Sequence, residues 1–112
     1  MTLREIEAVA QFTNILLIES GRPEIPARQV AQIYMPARRL SRLAVADCND
    51  GLTDKQKRLE VRTSAALAAL GEELGVTFTL SGDPRGYVVK MDTPLTGRFN
   101  TFGGAECGWG VA

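Results

Sequence analysis

Apolar residues recur every three to four positions at the start of the chain, at Leu3, Ile6, Val9, Phe12 and Leu16. That spacing is one face of an amphipathic helix and predicts a helix over residues 3–19. Thr2 and Glu5 stand at capping-box spacing before it, and Gly21 and Pro23 supply its stop. A second run, "EIPARQVAQIY", carries Val30, Ile33 and Tyr34 as its stripe, with Pro26 acceptable in the first helical turn. Pro36 interrupts it, because a mid-helix proline removes one hydrogen bond and crowds the preceding turn. The helix either kinks there or a new one begins. Beyond it "PARRLSRLAVADC" puts Leu40, Leu43 and Ala44 inward and Arg38, Arg39 and Arg42 outward.

"CNDGL" reads as a loop. Thr53 and Gln56 form a second capping box, opening a helix over 54–74 that Gly75 ends. Leu59, Ala66, Leu70 and Leu74 are expected to share its buried face. The period then drops to two. Val76, Phe78 and Leu80 alternate with Thr77 and Thr79, and Tyr87, Val89 and Met91 share one face of "YVVKM". These are two strands of a hairpin over 76–91, and "RFNTF" adds a short third. Helices first and a sheet afterwards predict an α+β fold, with N-terminal helices packed on a small C-terminal antiparallel sheet.

The length, 112 residues, suits one domain with a modest core. Thirteen basic and thirteen acidic residues cancel, so net charge steers the chain toward no class of partner. No apolar run is long enough to span a bilayer. The start "MTLREIEAVA" has no signal-peptide core, and the expected location is the cytoplasm. Histidine is absent, which removes the commonest general base, metal ligand and nucleophile partner. Cys48 and Cys107 are too few for a disulfide framework or a zinc site. No metal, cofactor or catalytic residue is therefore expected. An enzyme would have to work with Asp, Glu, Cys or Lys, and no pair stands close enough in sequence to propose.

Three stretches carry candidate recognition chemistry. In "SGDPRGYVVKM", Asp83, Pro84 and Gly86 suit successive positions of a type I turn, which by itself explains them. The turn does not require Arg85, whose fork of donors at an exposed tip could grip a carboxylate, phosphate or carbonyl. With Tyr87 beside it and Trp109 near the chain end, it makes a partner-binding set of Asp83, Arg85, Tyr87 and Trp109. The second stretch is basic: no acid occurs between Ile25 and Ala46, and Arg38, Arg39 and Arg42 are followed by Lys55, Lys57, Arg58 and Arg62. Such a face could bind phosphate backbones, or simply be solvated. The third, "DCNDGLTDKQKR", fails as a calcium loop. Counted from Asp47, Gly51 falls fifth and Arg58 twelfth, where the loop needs glycine sixth and glutamate twelfth.

"LGVTFTLSGDPRGYVVKMDTPLTGRFNTFGG" resembles a segment of small accessory proteins of tailed bacteriophages and prophages. There a helix, a "GDPRG" turn, a strand with a lysine and a glycine/asparagine-containing end follow in this order. "RLAVADCNDGLTDKQKR" is similar to the segment that often precedes it, and residues 1–36 have no counterpart. The resemblance implies a phage origin and a cytoplasmic location in the host cell. It also implies a non-enzymatic protein that binds a protein or ribonucleoprotein partner, in the manner of inhibitors of bacterial defence systems such as anti-CRISPRs. Nucleic-acid or nucleotide binding through Arg38, Arg39 and Arg42 is the alternative expectation. A homodimer is a further one, since the apolar face of the first helix exceeds what a small core covers.

Overall fold

The computed structural model describes residues 3–83, 86–92 and 99–102. Helices α1 (Leu3–Glu19), α2 (Ala27–Asn49) and α3 (Asp54–Leu74) come first, then strands β1 (Thr77–Asp83), β2 (Gly86–Asp92) and β3 (Phe99–Phe102). The strands form an antiparallel meander in the order β1-β2-β3, and the helices cover one face of it. The fold is α+β, as the change of period predicts.

The hairpin pairs Thr77 with Asp92 at its open end and Asp83 with Gly86 at its turn. Pro84 and Arg85, the two residues between Asp83 and Gly86 in sequence, lie outside the described residues. The register places Phe78 opposite Met91 and Leu80 opposite Val89, with Val89 in turn opposite Phe102. These side chains therefore share the helix-facing side of the sheet. Val89, Met91 and Phe102 are fully buried there, and the Phe78 and Phe102 rings meet edge to face at 6.4 Å. From the helices, Leu16, Leu17, Val30, Ile33, Ala37 and Leu67 complete the core. Each large side chain so buried stabilises the fold by about 1.5–3 kcal/mol relative to exposure.

Local chemistry sets the helix ends. The Thr53 hydroxyl accepts from the Gln56 N–H at 3.2 Å, and the Thr53 N–H donates to Gln56 Oε1 at 2.9 Å, completing the second capping box. Gly75 takes the left-handed conformation (φ 73°) and its N–H turns back onto α3 carbonyls. Thr2, half of the first expected box, lies outside the described residues. Pro26 sits one place before α2, at its N-cap. Between α1 and α2, Asn14 clasps Ile25 with both ends of its amide. It donates to the Ile25 carbonyl at 2.9 Å and accepts from the Ile25 N–H at 2.8 Å.

Two expectations change, and one open alternative closes. At Pro36 no new helix begins, and α2 runs through it. The apolar face is continuous across it, from Val30 and Ile33 to Ala37 and Leu40. The carbonyl deprived of a partner belongs to Gln32, an exposed residue that water can serve. On α1 the buried face is Val9, Ala10, Thr13, Leu16 and Leu17, while Leu3 is 69% exposed. On α3 the buried face is Thr63, Leu67, Gly71 and Leu74, and Ala66 is exposed. Leu59 and Leu70 are half-buried. Gly71 turns inward because the chain doubles back past it after Gly75: a Cβ there would stand 2.7 Å from the Val76 carbonyl oxygen, and the Val76 N–H donates to the Gly71 carbonyl. Thr63 is tolerated inside because its hydroxyl donates to the Leu59 carbonyl at 2.7 Å.

Candidate functional site

The α2–α3 connection is four residues long, from Asp50 to Thr53, so the two helices lie side by side and antiparallel. This returns the basic first half of α3 alongside the arginine segment of α2. Arg38, Arg39 and Arg42 line a groove of about 650 Å³ together with Tyr34, Met35 and Gln56. Arg39 and Arg42 are exposed and Arg38 is half-buried, so its aliphatic stem packs while its head reaches solvent. A second hollow of about 410 Å³ follows the seam between the helices, with Arg39 on one wall and Arg62 on the other. Arg62 also borders a third, of about 610 Å³, with Lys57, Arg58 and Val61. Arg39 and Arg62 thus join three depressions into one surface.

Its electrostatics are one-sided. Among the described residues, no carboxylate pairs with Arg38, Arg39, Arg42, Lys57, Arg58 or Arg62; the ion pair found there is Lys90–Asp92 at 3.6 Å, on the other face of the sheet. The molecule is neutral overall, but its cations are not spread evenly. Cationic heads that spend nothing on internal partners keep their full capacity for an external anion. Arg38 and Arg42 are four residues apart, as are Arg58 and Arg62, so each pair stands about 6 Å apart along its helix axis.

The expected tip does not assemble among the described residues. Arg85 and Trp109 lie outside them, and Asp83 is placed by its backbone as the residue closing the hairpin opposite Gly86. Tyr87 is half-buried against α2. Its carbonyl accepts from the Ser41 hydroxyl, and its own hydroxyl lies 3.2 Å from Cys48 Sγ. Tyr87 therefore braces the hairpin on α2, at the helix turn that carries Arg42.

Sequence pattern alone did not place Tyr34, Met35, Gln56 or Pro36 at the surface with the arginines. The signal that could have done so is the short α2–α3 loop, which fixes the residues that face each other across the seam. Among the described residues, no three metal-ligating side chains come together, and no helix is long and apolar enough to cross a membrane. No family model, curated protein or solved structure matches the chain.

Proposed function

We propose that this chain is a small non-enzymatic binding protein whose α2–α3 surface takes a nucleic acid. One observation carries the reading: six cations, none paired with a carboxylate among the described residues, stand on adjoining helices around connected grooves. The helical spacing of the paired arginines, about 6 Å, is close to the separation of successive phosphates along a strand. The apolar flanks of the first groove offer sugars and bases a dry wall between charged contacts. The phage resemblance of the last third supplies a setting, an accessory protein acting on nucleic acid or on a ribonucleoprotein of the host, a defence complex being one of that class.

A protein partner is the second reading, and a different observation favours it. Met35 and Val61 are 67% and 68% exposed among the cations, and apolar anchors ringed by arginine suit a protein interface.

Salt separates the two. If Arg38, Arg39, Arg42 and Arg62 each neutralise one phosphate, affinity for a random duplex should fall about a hundredfold between 50 and 200 mM salt. Replacing Arg38, Arg39 and Arg42 together by alanine should reduce the log–log slope by about 2–3 and leave the fold intact. Weak duplex and single-strand binding at low salt, unchanged in the triple variant, would reject the nucleic-acid reading and leave the protein partner.

A further inference from the structure

Beyond the basic face, the sheet has an edge whose chemistry is self-complementary. Among the described residues β1 has β2 as its one strand neighbour, so its other side carries unspent N–H and C=O groups. Thr77, Thr79, Leu80, Ser81 and Gly82 are exposed. From Thr77 to Gly82 the strand contains no charge and no proline, the usual devices that keep a sheet edge from pairing. Leu80 faces the helix side of the sheet, opposite buried Val89, yet remains 41% exposed. Beside it a groove of about 340 Å³, bordered by Ala68, Gly71, Glu72, Val76, Thr77 and Phe78, runs between α3 and β1. One strand thus offers an apolar knob and, two residues away, a hollow whose lining is mostly apolar, with Glu72 at its border.

We infer that the β1 edge is a two-fold pairing surface for a second copy of this chain, joined antiparallel with Thr79 on the symmetry axis. In that register Phe78 stands opposite the other copy's Leu80, and Thr77 opposite its Ser81. Each Leu80 then lies across from Phe78 on the helix-facing side and enters the groove beside it. The hydroxyl residues pair with one another on the other side. The phase of the ladder agrees. With two residues between Asp83 and Gly86, the hydrogen-bonded pair that closes the hairpin turns the backbone groups of Phe78 and Leu80 away from β2. Those are the two residues the register brings face to face. An isologous contact of this kind uses each surface once and closes as a dimer with a continuous six-stranded sheet. A heterologous peptide could use the same backbone groups, but it would not have to match knob to hollow in one strand.

Sedimentation velocity across tens of micromolar tests the state, and two kinds of variant test the surface. The wild-type chain is expected to sediment as a concentration-dependent dimer, and Leu80→Lys as a monomer with unchanged far-UV circular dichroism. In a background with Cys48 and Cys107 replaced by serine, Thr79→Cys should crosslink to itself under mild oxidation, because that position meets its own copy across the axis at disulfide range. Thr77→Cys, which faces Ser81 instead, should not. A wild-type monomer throughout, a dimer that survives Leu80→Lys, or equal crosslinking at positions 77 and 79 would each overturn the proposal. A dimer lost in Ile18→Lys but kept in Leu80→Lys would move the contact to the exposed face of α1.

Discussion

Truncating Leu67 and Leu70 in parallel measures which way α3 is turned. Leu67 is 3% exposed within the core, whereas Leu70 is half-buried and packs against the core's margin. Leu67→Ala removes three carbons from a closed environment. At about 0.8 kcal/mol per buried methylene the transfer loss is roughly 2.4 kcal/mol. The cavity left behind adds to it, bringing the total to about 3 kcal/mol. Leu70→Ala loses part of the transfer term and leaves a site that solvent can fill, so roughly 1–1.5 kcal/mol is expected. In a domain of this size, 3 kcal/mol lowers Tm by about 12 °C. Urea denaturation followed by circular dichroism reads both variants, with the slope m unchanged as the check that only stability moved. Ala66→Glu is the third arm. On an exposed face it should change stability by less than about 0.5 kcal/mol. A larger loss for Leu70 than for Leu67, or a severe loss for Ala66→Glu, would show the helix rotated with its alanine face inward.

Two further substitutions probe the joints between elements. Gly75→Ala places a side chain in the left-handed conformation, against the Arg22 guanidinium, and should cost roughly 1–2 kcal/mol by denaturant midpoint; a neutral result would contradict the cap. Asn14→Ala leaves both backbone groups of Ile25 without their clasp and should cost about 1–3 kcal/mol. Faster hydrogen exchange at the Ile25 amide is the local readout, and unchanged exchange there would show that the clasp does not form in solution.

The helix ends were legible because they are written in residues with few alternative uses. Thr53 with Gln56 and Gly75 mark α3 at both ends, and the alternation of threonine with apolar residues marks β1. The rotation of α3 was not legible. Its centre, "SAALAAL", places alanine on every side, and alanine is equally at ease buried or exposed. Thr63 and Gly71 read as polar and neutral positions, yet one is satisfied by its own helix and the other is selected by the chain reversal that ends α3. Pro36 left two readings open for a related reason. The rule against mid-helix proline is local, and the burial that carries α2 through it is tertiary. Of the candidate site, the arginines could be read as a cluster, since their side of α2 holds no acid. That Arg62 and Gln56 face them depends on the antiparallel return of α3, which charge patterning does not report.

The order of the elements in space has a kinetic consequence. α2 and α3 are joined by four residues, β1 and β2 by two, and β3 follows beside β2. Most partners are therefore neighbours along the chain, so little loop entropy has to be spent before the first contacts form. During synthesis the helical pair is complete by Leu74, before any strand has emerged. The arginine surface belongs wholly to that pair and is assembled first. Strands added afterwards close the apolar side of a structure whose charged side is already in place, so the segment that waits exposed on the ribosome is the oily face of α2.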